Sequence, residues 1–217
     1  MTDELFKRLI SSIIILPIVI FSIYKGSFFF TALIFVCLTI SLYEWHKMNK
    51  FFFYKIGGYI LLVISFYCFY NLRIIFDEQS PITLIFILSI CVLTDIGGFT
   101  FGKLFQGPKL TKLSPNKTYA GAVGGVMLSL LSVGLVYQYN LFNGVNFLNI
   151  ISFVIFLSII SQCGDILISY FKRKANIKNT GSLIAGHGGI LDRIDGMIFA
   201  IPSSYLILSK NLFNLTI

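Results

Sequence analysis

Long apolar runs follow one another along the chain, separated by short polar segments. A membrane-spanning helix needs about 20 mainly apolar residues. We interpret seven runs as spans, near residues 9–24, 27–45, 56–72, 81–101, 119–139, 147–169 and 194–209. The first is the shortest, but no small-residue cleavage site follows it, so we expect it to be retained rather than removed as a signal peptide. The pattern predicts an all-α polytopic membrane protein with about seven transmembrane helices.

The composition agrees with this pattern. Of the 217 residues, 56% are hydrophobic and 12% are charged, whereas a soluble domain carries about 25% charged residues. No linker or low-complexity tract interrupts the chain, so we expect a single integral membrane domain over residues 1–217. The four cysteines lie inside predicted spans without CxxC spacing, and we interpret them as small apolar residues.

Basic residues are concentrated in alternate connections between the spans. Fourteen of the 17 Lys and Arg residues lie before the first span or in the second, fourth and sixth connections. Positive loops stay in the cytoplasm, which places the N-terminus inside and the C-terminus outside. The net charge of +8 is mainly this topology signal, and it also favours anionic lipid or an anionic substrate at the cytoplasmic face. Nucleic-acid binding is disfavoured, because no soluble domain is present to carry it out.

The two halves of the chain differ in character. Residues 1–90 are nearly free of polar side chains within the spans, and we interpret them as hydrophobic scaffold helices. Glu44 and His46 lie at the end of the second span, where polar side chains usually reach into solvent, so we assign them no chemistry. Residues 91–217 are predicted to hold the catalytic helices and loops.

Glycines and acidic residues enter the apolar context in the second half. Gly121 and Gly125 form a GxxxG pair, which is typical of closely packed helices. Asp95 and Asp165 each follow a long apolar run. An unpaired carboxylate there would cost several kcal/mol, so each is expected to face a polar cavity, a cation or a basic partner.

The connection after the fourth span contains the sequence Ser-Pro-Asn-Lys-Thr. We expect Ser114 to cap the fifth helix and Pro115 to occupy its first turn. Lys117 and Thr118 would then lie beside free backbone N–H groups, an arrangement that suits an anion. An ordinary capped helix with a cytoplasmic lysine explains this segment equally well, and both interpretations stay open.

Carboxylates of the last connection are spaced to converge. Asp165, Ser169 and Lys172 share one helix face, and Asp192 and Asp195 share another if the seventh helix begins there. Two or three converging carboxylates without cysteine or paired histidine suit a hard cation such as Mg²⁺.

A Gly-His-Gly-Gly sequence and several basic residues accompany these carboxylates. His187 is interpreted as a hydrogen-bond donor to phosphate, and Gly188 and Gly189 as allowing close backbone approach to a bulky ligand. Five nearby basic residues are typical of phosphoryl or nucleotidyl transfer: Lys172, Arg173, Lys174, Lys178 and Arg193. A salt-bridged cytoplasmic loop explains the lysines but not carboxylates at membrane depth beside these glycines.

At these residues the chain resembles the phosphatidate cytidylyltransferases, the CDP-diacylglycerol synthases. One family signature is matched at Ser169, Lys172, Arg173, Lys178, Gly181, His187, Gly188, Gly189, Asp192, Arg193 and Asp195. Two more are matched at Gln162, Gly164 and Asp165, and at Ser114, Pro115, Lys117, Thr118 and Gly121. The family pattern has Glu, Asp and Pro where this chain has Ala120, Asn179 and Ala185.

The resemblance implies that CTP and phosphatidate react to CDP-diacylglycerol and diphosphate, for phospholipid biosynthesis. It implies a multi-pass protein of a bacterial-type inner membrane, with the active site facing the cytoplasm and a homodimer as its assembly. Mg²⁺ would be held by Asp165, Asp192 and Asp195, which with Lys172 form the expected catalytic set; a second, monovalent cation stays open. The expected substrate-binding residues are Ser114, Lys117, Thr118, Ser169, Arg173, Lys178, His187, Gly188, Gly189 and Arg193.

Two other functions stay open. A CTP-dependent lipid or polyprenol kinase would share the metal and the basic loops but transfer the γ-phosphoryl group. An ion-coupled transporter would use Asp95, Asp165 and Asp195 as an ion path. Against the transporter, the halves show no inverted repeat, and the charge gathers at one face rather than in mid-span.

Overall fold

A computed structural model describes the chain at residues 15–49, 51–75, 79–111, 114, 117–177, 179–181 and 188–215. Its helices are α1 Ile15–Lys25, α2 Ser27–Met48, α3 Phe52–Ile75, α4 Ser80–Phe105, α5 Tyr119–Ser129, α6 Val133–Gln138, α7 Phe147–Lys174, α8 Leu191–Ile194 and α9 Met197–Ser209. Short 3₁₀ turns lie at Leu130–Ser132 and Leu212–Asn214. Within these described residues no β-strand forms, so the predicted all-α class is confirmed.

Among the described residues, five helical segments are long and apolar enough to cross a membrane. They are Ser27–Met48, Phe52–Ile74, Ser80–Phe105, Tyr119–Gln138 and Phe147–Lys174, and they coincide with the predicted second to sixth spans. Many of their large apolar side chains point outward and are exposed, as on a surface that faces lipid. The first predicted span lies partly outside the described residues, and the last corresponds to the shorter α9, so seven spans stay a prediction.

The apolar centre of the bundle lies between α4 and α7. The rings of Phe86 and Phe153 stack with centroids 6.1 Å apart, and both side chains are fully buried. Lipid tails are as apolar as these side chains, so close packing rather than exclusion of water holds such helices together. The four cysteines are free thiols, as predicted.

Helices α4 and α5 approach each other through glycine. A Cβ atom added to Gly97 would lie 2.5 Å from the carbonyl oxygen of Gly124, and one added to Gly121 would lie 2.6 Å from that of Gly98. Real Cβ atoms are not found at such distances, so a larger residue would separate the helices. The predicted packing role of Gly121 and Gly125 is confirmed.

The connection between α4 and α5 closes on itself in an extended pairing. Lys109 and Thr118 form an isolated antiparallel bridge, and the N–H of Leu110 donates to the carbonyl oxygen of Lys117 at 2.8 Å. This pairing keeps the chain extended up to the residue before Tyr119, where α5 begins.

The cap of α5 is therefore not the predicted one. Thr118 has extended backbone angles, and its hydroxyl oxygen accepts the N–H of Gly121 at 3.0 Å. The prediction that Ser114 caps this helix is wrong, because the extended pairing delays the helix by a full turn. Pro115 lies outside the described residues.

Candidate functional site

Lys172, near the end of α7, links two carboxylates of the α8 region. Its ammonium donates to Oδ1 of Asp192 at 3.0 Å and to Oδ2 of Asp195 at 3.4 Å. The three side chains are 11%, 8% and 13% exposed, respectively. The expectation that Asp192 and Asp195 share a face is confirmed, since both reach the same ammonium.

Asp192 also organises the backbone around it. Its Oδ2 accepts the N–H of Thr180 at 2.8 Å and the N–H of Gly189 at 3.0 Å. Gly188 has a φ of +86°, and a Cβ atom added there would lie 2.7 Å from the same oxygen. A glycine is required at this position on both counts. Asp192 therefore joins Thr180, which precedes the Gly-His-Gly-Gly sequence, to Gly189, the last residue of that sequence.

A second ion pair joins Lys117 to Asp165 of α7. Their side chains are about a quarter exposed, at 25% and 26%. The expected basic partner of Asp165 is thus confirmed. Asp95 of α4 is close enough for its charge to interact with Asp165, Lys117 and Arg193. Asp95 and Asp165 lie about ten residues before the ends of their helices, or roughly 15 Å of helix rise.

Asp195 connects the two charge clusters. It lies in the turn between α8 and α9, where its Oδ1 accepts the N–H of Gly196 at 3.0 Å. The Asp195 side chain is largely buried, and it lies close to the carboxylate of Asp165 as well as to the ammonium of Lys172. Negative charge at this position is therefore costly unless a cation lies beside it.

The carboxylates of this site offer only oxygen atoms as metal ligands, and oxygen is the ligand that Mg²⁺ prefers. Among the described residues no three His, Cys, Asp or Glu side chains converge into a metal cage. Instead, the ammonium groups of Lys117 and Lys172 lie against the carboxylates. Mg²⁺ commonly uses one or two carboxylates together with waters and substrate phosphates, so the donor set fits an ion that arrives with a nucleotide.

Glu44, at the end of α2, is part of this site, although no chemistry was predicted for it. It is 2% exposed. Its carboxylate accepts the hydroxyl of Thr180 at 3.0 Å, the N–H of Ile190 at 3.1 Å and the N–H of Leu191 at 2.9 Å. The prediction of a solvated interfacial side chain is wrong, because α2 ends against the segment before α8. One signal was available: Glu44 is the sole acidic residue between residues 5 and 76.

Glycines leave the space that Glu44 occupies. A Cβ atom added to Gly189 would lie 2.3 Å from Oε2 of Glu44, and one added to Gly181 would lie 2.6 Å from Oε1. The interpretation of Gly189 as a residue that admits a ligand stays a prediction. In the structure, the space above it is filled by the carboxylate.

Trp45 fixes the end of α2 between α3 and α7. Its indole N–H donates to the carbonyl oxygen of Tyr54 at 3.0 Å, and its ring meets that of Phe171 edge-on with centroids 5.2 Å apart. A Cβ atom added to Gly58 would lie 1.8 Å from the indole ring. His46, the next residue, is exposed, as expected for a side chain at a span end.

The other predicted site residues differ in their exposure to solvent. Ser169 is half-buried on α7, whereas Arg173 and Arg193 are exposed. The guanidinium of Arg173 donates to the carbonyl oxygen of Ile177 at 3.5 Å. Lys178 and His187 lie outside the described residues, so their expected roles stay predictions.

Sequence comparisons identify proteins that are similar to this chain over most of its length. The sequence model of the Cytidylyltransferase family matches residues 6–78 and 55–210. A phosphatidate cytidylyltransferase of Rickettsia typhi is 34% identical over 212 residues, which cover 92% of this chain and 90% of that protein. That of Rickettsia prowazekii is 35% identical over 217 residues, covering 94% and 92%. That of Bacillus subtilis is 31% identical over 182 residues, covering 81% and 66%.

Proposed function

Since the chain belongs to the Cytidylyltransferase family, we propose that it makes CDP-diacylglycerol and diphosphate from CTP and phosphatidate. The observation that carries this proposal is the alignment of more than nine tenths of the chain with phosphatidate cytidylyltransferases. The kinase and transporter alternatives are not favoured, because the relatives are named for cytidylyl transfer.

In the proposed reaction, a phosphate oxygen of phosphatidate attacks the α-phosphorus of CTP, and the bond to the β-phosphate breaks to release diphosphate. Both reactants are polyanions, so the protein's main task is to position them and offset their charge. The second pKa of a phosphate monoester is about 6, so the attacking oxygen is already ionised at pH 7. No side chain needs to remove a proton from it.

The two lysines have different parts in this proposal. Lys117 and its partner Asp165 are accessible, so a nucleotide phosphate can take the ammonium and leave the carboxylate for a cation. Lys172 is held between Asp192 and Asp195 and provides a fixed positive charge beneath the phosphates. Asp165, Asp192 and Asp195 would hold Mg²⁺, which neutralises charge on the phosphates and on the leaving diphosphate.

The membrane placement is proposed from the charge pattern. Fourteen of the 17 basic residues would lie on the cytoplasmic side of a seven-span chain, with the site at that face. The head group of phosphatidate would enter from the lipid while its acyl chains stay in the bilayer of the inner membrane. A homodimer is proposed on the family resemblance alone.

The test is a product analysis with the purified, full-length protein. Labelled CTP, phosphatidate and Mg²⁺ should yield a CDP-lipid and diphosphate, and chelation of Mg²⁺ should stop the reaction until the ion is restored. Release of CDP with phosphorylation of the lipid would instead support a kinase. Absence of any CDP-lipid from well-folded protein would contradict the proposal.

A further inference from the structure

Glu44 belongs to the N-terminal half, yet its carboxylate contacts both ends of the segment that carries the glycines and leads into α8. Thr180 lies at one end, and Ile190 and Leu191 lie at the other. We infer that Glu44 is a positioning residue of the active site, which holds these two ends together and thereby sets the place of Asp192. This inference rests on the proposed function for its effect on turnover.

Glu44 and Asp192 both accept hydrogen bonds from the same two stretches of chain. The hydroxyl of Thr180 donates to Glu44, while its backbone N–H donates to Asp192. At the other end, the N–H of Gly189 donates to Asp192, and the next two N–H groups along the chain donate to Glu44. Displacing one carboxylate therefore moves the donors on which the other depends.

The position requires a group that only accepts hydrogen bonds. Oε1 of Glu44 faces the N–H of Ile190, and Oε2 faces the N–H of Leu191 and the hydroxyl of Thr180. In Glu44→Gln, the amide NH₂ must point at one of the two backbone N–H groups, whichever way it is turned. A buried N–H then loses its acceptor, although the shape of the side chain is preserved.

The anchor is rigid at its other end. Trp45, the next residue of α2, is buried between α3 and α7, so the end of the helix cannot follow a displaced segment. The fixed end of α2 therefore determines where the backbone before α8 lies. This backbone in turn determines the position of Asp192 and of Lys172, which donates a hydrogen bond to Asp192.

The first experiment compares Glu44→Gln with Ser41→Ala in the full-length protein. Ser41 is equally buried on α2, but its hydroxyl bonds within the helix to the carbonyl oxygen of Cys37. For Glu44→Gln we expect kcat/KM for CTP to fall about tenfold or more, and the Mg²⁺ concentration for half-maximal rate to rise. Ser41→Ala should leave both values near those of the unchanged protein.

A second measurement does not depend on turnover. Hydrogen exchange at the amides of Ile190 and Leu191 should accelerate in Glu44→Gln, while exchange in the rest of α2 and in α7 stays as it was. If the unchanged protein made no CDP-lipid but this local acceleration appeared, the proposed function would fail and the positioning role would stand. Unchanged exchange at both amides would overturn the inference.

Thr180→Val provides a milder perturbation for the case in which Glu44→Gln folds poorly. It replaces the hydroxyl by a methyl group of similar size and keeps the backbone N–H that donates to Asp192. We expect a smaller loss in kcat/KM and a less than additive loss when it is combined with Glu44→Gln, because both changes weaken hydrogen bonds to the same side chain. A lower melting temperature, with CTP and Mg²⁺ dependence unchanged in the folded fraction, would reduce Glu44 to a structural role.

Discussion

Two lysine–carboxylate clusters lie within one site, and they differ in their access to solvent. Lys117 and Asp165 are each about a quarter exposed and form a simple pair. Lys172 lies between Asp192 and Asp195, and all three side chains are nearly buried. In the second cluster Asp192 also accepts two backbone N–H groups.

The difference in exposure indicates different roles for the two clusters, which the sequence alone does not distinguish. An exposed ion pair contributes about 0–1 kcal/mol to stability, so its partners can exchange for a ligand at little cost. Removing one partner of a buried pair costs about 3–5 kcal/mol, because the other charge is left without compensation. We therefore expect the Lys117–Asp165 pair to open when substrate binds, and the Lys172 cluster to stay intact and keep the proposed Mg²⁺ ligands Asp192 and Asp195 in place.

The largest effect is expected for Asp192→Asn. The change removes one of the two negative charges that Lys172 faces, and it turns an amide NH₂ toward one of the groups that donate hydrogen bonds to Asp192. Turnover should be lost, and the free energy of unfolding should fall by about 3–5 kcal/mol. CDP-lipid formation and thermal unfolding in detergent measure the two effects. An unchanged unfolding midpoint would remove the distinction between the clusters.

Asp165→Asn is the matched change in the exposed cluster. We expect turnover to fall at least about a hundredfold, since a proposed Mg²⁺ ligand is lost. Stability should change by no more than about 1 kcal/mol, because the pair with Lys117 is partly solvated. The same two assays apply. A near-normal rate at low Mg²⁺ concentration would refute the assignment of Asp165 to the metal.

Lys117→Gln should act mainly on nucleotide binding. Loss of one charge-assisted hydrogen bond to phosphate predicts a KM for CTP about tenfold higher, with a smaller change in kcat. Lys103→Gln is the control, because Lys103 is an exposed lysine at the end of α4 whose ammonium lies 6.0 Å from the ring centroid of Phe99. If both variants raised KM alike, the effect would be one of general surface charge.

The smallest effect is expected for Asn179→Asp, which restores the residue of the family pattern. Asn179 is exposed and lies beside Gly188, outside both clusters. We expect kcat/KM to change by no more than about twofold, in either direction. Steady-state kinetics at several Mg²⁺ concentrations would detect a larger effect. Complete loss of activity would show that this position has a direct role.

Features that depend on local spacing were predictable from the sequence. The long spans follow from apolar runs, and the close contact of α4 with α5 follows from the small residues of a GxxxG pair. Asp192 and Asp195 contact one ammonium because they are three positions apart along a helical turn. Each of these predictions needed only a short window of sequence.

Features that depend on distant parts of the chain were not predictable in this way. Glu44 accepts hydrogen bonds from residues 136 to 147 positions further along the chain, and apart from the lack of other acidic residues between residues 5 and 76 its sequence context is that of a solvated acid at a span end. The start of α5 was misplaced for a similar reason, since the pairing of Lys109 with Thr118 overrides the capping preference of Ser114. In both cases contacts with residues elsewhere in the chain, rather than the neighbouring sequence, determine the structure.

The glycine contact between α4 and α5 also constrains how this chain can diverge. On the shared face, Gly97 and Gly121 leave no room for even a methyl group. On the outer face, Phe99, Val123 and Met127 are exposed and can exchange with other apolar residues. Saturation mutagenesis of the two helices should yield a strictly invariant stripe beside a permissive one. Substitutions among homologues would then be confined to the lipid-facing sides of the two helices. The distance between Asp95 on α4 and Lys117, just before α5, would stay the same.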